Sequence, residues 1–173
     1  MSMQPNALSV ANYFVELAQK EQSEIRLLGL MKRVYIAHGF YLAIFDKSFL
    51  DERFDKVEAW RYGPVIPSVY HSFKHNKKSP IKNCAEIMEY KNGETEFITP
   101  KLDSDRDSEI KKVCEIVWNR YKHFSDANIV ELTHQNGTPW SLCYIEHENC
   151  IIPDSYTKLY YKKVIKAITN KDV

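Results

Sequence analysis

Glycine is scarce in this chain, with five in 173 residues. No Gly-x-Gly-x-x-Gly and no Gly-x-x-x-x-Gly-Lys-Ser/Thr occurs, so two common phosphate-cradling loops are excluded. So few glycines also imply few tight turns, and favour helices. Charge is not skewed to one sign: 24 Lys and Arg stand against 23 Asp and Glu, a formal +1. That balance gives no overall attraction to nucleic acid or to an anionic membrane, and leaves only local patches. Uninterrupted apolar runs fall far short of the ~18–20 residues that cross a bilayer. The first six residues, Met-Ser-Met-Gln-Pro-Asn, carry neither a basic nor an apolar stretch. No secretory signal is therefore expected, and a cytoplasmic location is the default. Four cysteines, at 84, 114, 143 and 150, form no Cys-x-x-Cys pair. Free thiols, mostly buried, are expected rather than a disulfide framework.

Aromatic residues are abundant: 11 Tyr, 8 Phe and 3 Trp. They serve cores and binding surfaces alike, because Tyr and Trp join an apolar body to a polar handle. The periodicity predicts a helix from about Leu8 or Ser9 to Lys20, with Ser9 as its cap, and a longer one over about 25–45. In the second, Leu27, Met31, Val34, Tyr35, His38, Tyr41, Leu42 and Phe45 make one wide stripe, with Lys32 and Arg33 off it. A stripe that wide predicts a central helix. Gly39, costly in a helix interior, predicts a close helix crossing. Residues 46–66 read as a charged loop with apolar anchors, turning at Gly63-Pro64. Pro67 opens a helix to about 76.

Asn92-Gly93 predicts a small hairpin over about 84–99, pairing Lys91 with Glu94, Tyr90 with Thr95 and Met88 with Phe97. Ser104 and Asp107 suggest a start for a helix reaching about 123, with Ile110, Val113, Cys114, Val117, Tyr121 and Phe124 inward. Ser125 caps a short helix, and Thr138-Pro139 starts another. The last helix, about 155–169, is expected to turn Leu159, Tyr160, Val164, Ala167 and Ile168 inward. The expectation is one mainly α domain spanning 1–173, a compact bundle of about seven helices with one small β-hairpin.

No constellation for chemistry stands out. His134, Cys143, His147 and Cys150 cluster in sequence, and Cys143 and His147 are i,i+4, but the spacing matches no zinc motif. No metal and no cofactor are expected. His71 and His75 read as a solvated face, and His38 as a hydrogen-bonded, buried or half-buried histidine. No Gly-x-Ser-x-Gly elbow exists, and the carboxylates Asp51, Glu52, Asp55 and Glu58 read as a surface loop. Lys74, Lys77, Lys78 and Lys82 form a basic stretch within 71–82, and Lys158, Lys162, Lys163 and Lys166 another. Arg is sparse and no helix-turn-helix is evident, so nucleic acid is disfavoured as a partner.

Two segments are specific in combination. One is Leu30-Met-Lys-Arg-Val-Tyr-Ile-Ala-His-Gly-Phe-Tyr-Leu-Ala-Ile-Phe-Asp, followed by Glu58-Ala-Trp-Arg-Tyr-Gly-Pro-Val-Ile-Pro-Ser-Val-Tyr; the other is Leu132-Thr-His-Gln-Asn-Gly-Thr-Pro-Trp. In this order and at this distance they resemble the Panacea domain family, which includes SocA-like antitoxins and GepA-type phage-associated proteins. The resemblance covers about 10–145.

It implies a non-enzymatic cytoplasmic antitoxin that neutralises a protein toxin by direct stoichiometric binding, with the toxin encoded by an adjacent gene. For the SocA branch it also implies an adaptor role toward an AAA+ protease, which is not extended to this chain. No membrane is implied. The motif residues Trp60, Tyr62, Gly63, Pro64, Val65, Thr133, His134, Pro139 and Trp140 are the candidates for a partner-binding surface. Seven of them also have a structural reading. Gly63-Pro64 shapes a turn, Thr133 and His134 satisfy backbone groups at a helix end, Pro139 starts a helix, and Trp60 and Trp140 pack on each other or on the second helix. The alternative function is a nucleic-acid-associated regulator acting through 71–82. No appended DNA-binding segment is read before residue 10 or after 170, so autoregulation has no evident agent.

Overall fold

A computed structural model describes residues 6–170. Most of the N-terminal stretch read as free of a signal lies outside the described residues. The first helix, α1, spans Ala7–Lys20 and is capped by Asn6, whose side-chain oxygen accepts the Ser9 N–H at 2.9 Å. The expected cap, Ser9, lies inside the helix. Asn6 stands three residues earlier, where its carbonyl reaches the orphan donor of the first turn.

The central element is α2, Leu27–Phe45, which ends at Asp46 in a left-handed conformation. It packs against α1, α4 (Ser108–Tyr121), α5 (Asp126–His134) and α7 (Asp154–Thr169). By length and composition α2 could cross a membrane, but most of it is buried within the protein. Being enclosed also overturns one expectation. Lys32 and Arg33, placed off the apolar stripe, are both buried. Backbone carbonyls receive them: Lys32 donates to Pro64 at 2.8 Å and Arg33 to Tyr121 at 2.9 Å. Arg33 also lies 5.7 Å from the Trp118 ring centroid, a cation–π contact that helps hold a weakly hydrated guanidinium inside. His38 is fully buried, with Nε2 2.9 Å from Asp154 Oδ1.

Gly39 makes the close crossing that its position suggested. A Cβ there would collide with the Tyr161 ring of α7. The ring seated over Gly39 also resets the face of α7. Thr157 and Tyr161 are its buried residues, with Val164 and Ile168 partly buried, while Leu159 and Ala167, expected inward, are exposed.

The stretch read as a loop over 46–66 contains two short strands, β1 (Glu58–Trp60) and β2 (Gly63–Val65), and β1 also pairs with β5 (Cys150–Ile151). All pairings are antiparallel, in the order β2-β1-β5. Strands of two or three residues are too short to show an alternating pattern. Next comes α3, Pro67–Phe73, which runs into a 3₁₀ turn at Lys74–Asn76.

The Asn92-Gly93 hairpin forms as read. β3 (Ile87–Lys91) and β4 (Glu94–Ile98) pair Lys91 with Glu94, Tyr90 with Thr95 and Met88 with Phe97. Both turn residues have positive φ, 52° and 87°, as a type I′ turn requires. The root of this hairpin is pinned by Asn12 of α1, which donates to the Ala85 and Pro100 carbonyls and accepts the Ala85 N–H.

At α4 the N-cap is Asp107 rather than Ser104. Its carboxylate makes no cap bond to the helix and instead accepts from the Asp103 N–H and the Arg106 guanidinium. Phe124, expected inward, is exposed beyond the end of that helix. Ser125 and Thr138 cap α5 and α6 (Pro139–Cys143). The molecule is mainly α, with seven helices among the described residues.

Candidate functional site

The two motif segments meet at the β1–β2 turn. Trp60 pairs with Gly63 across it, leaving Arg61 and Tyr62 as the two-residue loop. Gly63 has φ +104°, and a Cβ there would lie 2.8 Å from Lys32 Nζ and 3.4 Å from Thr133 Oγ1. Glycine is required twice, for the positive φ and for the close approach. Pro64 supplies the carbonyl that accepts the Lys32 ammonium. Among the described residues no carboxylate compensates that charge, and burial pushes the Lys32 pKa down to about 7.

The second segment closes on the same turn from α5 and α6. Thr133 donates its hydroxyl to the Ile129 and Val130 carbonyls. His134 Nδ1 sits 2.6 Å from the Val130 carbonyl oxygen, and its ring meets Trp140 edge-on with centroids 5.2 Å apart. Pro139 occupies the first turn of α6, after the Thr138 cap. Trp140 stacks on Tyr144 at 4.6 Å and donates its indole N–H to the Trp60 carbonyl at 2.7 Å. Trp60 in turn donates to Glu58 Oε2 at 2.7 Å and lies edge-on to Tyr70 of α3.

All nine sequence-predicted residues therefore converge, but not on one exposed face. Gly63, Pro64, Val65, Thr133 and Pro139 are buried, and Trp60, His134 and Trp140 are half-buried. Only Tyr62 stands out, 62% exposed, with the Arg61 guanidinium 5.6 Å from its ring centroid.

Beside this turn lies a cavity of about 390 Å³, walled by Leu28 and Met31 of α2, Trp60, Tyr62 and Val65 of the turn, and Tyr70. Among the described residues its cationic lining is Lys32, Arg61 and Lys77, and no carboxylate lines it. The arrangement can receive an apolar or aromatic group approaching beside positive charge.

Sequence reading passed over Lys32 and Tyr70 as parts of this site. The available signal for Lys32 was a cation inside a helix otherwise too apolar to have a wet side. The clustered His and Cys residues do not assemble as the spacing allowed. Cys143 ends α6, and His147 lies beyond it at φ 67°, so the two share no helix face. Among the described residues no three His, Cys, Asp or Glu side chains group as a metal site would need.

Residues 30–141 match the family described as "Antitoxin SocA-like, Panacea domain". The chain belongs to this Panacea family. The match is narrower than the 10–145 read from the motifs, yet it contains all nine motif residues. The chain is also similar to Antitoxin SocA of Caulobacter vibrioides (strain NA1000 / CB15N), with 31% identity over 137 residues, covering 79% of this chain and 69% of that protein. No solved structure matches the chain. The Panacea segment takes in most of α2, the β1–β2 turn, α3, α5 and the start of α6, which build the site; Leu28 of the cavity lies just before it.

Proposed function

We propose that this protein is an antitoxin without catalytic activity of its own, that it acts as a single domain over 1–173, and that it neutralises a protein toxin by forming a stoichiometric complex with it. The observation that carries the reading is the family match over 30–141, which encloses the whole motif cluster. The geometry supports a division of labour within that cluster. The buried members shape the β1–β2 turn, while Tyr62 and the adjoining cavity face the partner. Tyr62 offers a large rigid surface at low cost in rotamer entropy, as interface anchors do.

The test pairs the chain with the product of an adjacent gene that arrests growth when expressed alone. Co-expression restores growth, and the two proteins elute as one complex. Tyr62→Ala weakens the complex about tenfold or more and leaves the melting temperature within about 2 °C, because an exposed side chain contributes little to folding. No growth-arresting neighbour rescued by this chain, or duplex DNA bound through the 71–82 lysines with a steep salt dependence, would overturn the reading. Delivery of the toxin to an AAA+ protease is a separate question, answered by whether the toxin's half-life shortens when the antitoxin is present.

A further inference from the structure

The cavity beside the β1–β2 turn passes from an apolar interior to a cationic mouth. Met31 and Val65 are buried in it, Leu28, Trp60 and Tyr70 are half-buried along it, and Arg61, Tyr62 and Lys77 are exposed. Its three cations, Lys32, Arg61 and Lys77, form no ion pair with any described residue. Lys77 is held there by an unusual backbone. The Ser79 N–H closes a turn on the Asn76 carbonyl at 2.9 Å, with Lys77 second in the turn at φ 53° and ψ −116°. That is type II′ geometry, in which glycine is the unstrained residue at this position. A lysine here brings an ammonium to the cavity despite local strain, and strain of this kind collects at binding sites.

Lys32 adds to the same field from behind the wall. It is completely buried, and its one acceptor, the Pro64 carbonyl, carries no net charge. A cation in so dry a setting is poorly screened, so an anion seated in the cavity is attracted by it as well as by Arg61 and Lys77. The rest of the lining says what accompanies that anion. Among the described residues, no Ser, Thr, Asn, Gln, Asp or Glu side chain lines the cavity. A nucleobase placed here would leave its edge donors and acceptors unpaired. Nor do the rings offer an open stacking platform: Trp60 meets Tyr70 edge-on at 71°, and the Arg61 guanidinium lies over Tyr62. An apolar side chain has no polar edge to satisfy, and carboxylates beside it answer the unpaired cations.

We propose that this cavity is the socket for an acidic anchor on the partner protein, in which one large apolar side chain enters between Leu28, Val65 and Tyr70 while flanking Asp or Glu carboxylates pair with Arg61 and Lys77. Naming the toxin as that partner rests on the antitoxin reading above; the inference adds the chemistry of the segment by which the toxin is held.

The test uses the full chain and the growth-arresting product of the adjacent gene, with binding read by calorimetry at low and high salt. Leu28→Trp fills the socket from its wall and is expected to weaken binding about thirtyfold. Arg61→Glu with Lys77→Glu is expected to weaken it about thirtyfold at low salt, with the gap narrowing at high salt as the charges are screened. Both keep the wild-type melting temperature, because neither replaces a core residue. Against the Arg61→Glu, Lys77→Glu chain, one of a set of partner variants with a single surface Asp or Glu replaced by Lys is expected to recover about tenfold in affinity. Wild-type affinity in both variants of this chain, or no recovery with any partner variant, overturns the proposal, and the antitoxin reading stands if the wild-type chain still binds and rescues. A wild-type chain that binds no growth-arresting neighbour overturns both. Binding of a labelled oligo-dT strand that the double charge reversal abolishes assigns the cavity to nucleic acid, and self-association that Leu28→Trp abolishes assigns it to a second copy; either result overturns the proposal.

Discussion

The indole N–H of Trp140 donates to the backbone carbonyl of Trp60 at 2.7 Å, tying together two motif segments 80 residues apart. This bond holds α6 against the β1–β2 turn. Trp140→Phe keeps an aromatic ring for Tyr144 and His134 to pack on but leaves the Trp60 carbonyl without this donor. The expected cost is about 1–3 kcal/mol, read from urea unfolding. A variant as stable as the wild type would show that the two segments are held by ring packing alone.

Gly39 and Tyr161 set the distance between α2 and α7. Gly39→Ala improves intrinsic helix propensity by up to ~1 kcal/mol, yet its methyl group would overlap the Tyr161 ring. Overpacking of this kind costs about 1–3 kcal/mol, sometimes more, so the net change is expected to be destabilising. Tyr161→Leu in the Gly39→Ala background removes the ring that clashes, and a double-mutant cycle should return a favourable coupling between the two changes. Additive effects would place the crossing elsewhere.

Lys32 makes stability depend on pH in a defined direction. Its folded pKa, about 7, lies below the ordinary lysine value of 10.5, so between those values the unfolded chain binds more protons than the folded one. Stability therefore rises as pH increases through this window and is reduced when the buried amine must be charged, below about pH 7. The gain between pH 7 and 9 is at most about 3 kcal/mol. Lys32→Met leaves the Pro64 carbonyl unpaired but abolishes the dependence. Chemical denaturation of both proteins at pH 6, 7, 8 and 9 checks this, and parallel curves would rule Lys32 out as the source.

Local signals in the sequence carried a good part of this architecture. Asn92-Gly93 specified a turn and, with it, the register of β3 on β4, since a two-residue loop admits few alternatives. Ser125 and Thr138-Pro139 marked two helix starts, because capping is decided within three residues. Gly39 announced a tight crossing by standing where alanine would make the better helix. The motif residues were likewise recognisable as a set.

Other features needed the assembled fold, since they depend on residues distant along the chain. Lys32 and Arg33 are buried because α1, α4, α5, α7 and β2 pack around α2, and carbonyls from β2 and the end of α4 lie within reach. Leu159 is exposed and Tyr161 buried because α7 rotates to seat its ring over Gly39. β5 pairs with β1 only because the fold brings Cys150–Ile151 alongside Glu58–Ala59. Which motif residues face solvent was settled in the same way: Tyr62 lies at the tip of a turn, beside the exposed Arg61, whereas Gly63, Pro64 and Val65 are buried against the helices. Caps and tight turns are encoded over a few adjacent residues, whereas burial is a sum over neighbours that are scattered along the sequence until the chain folds.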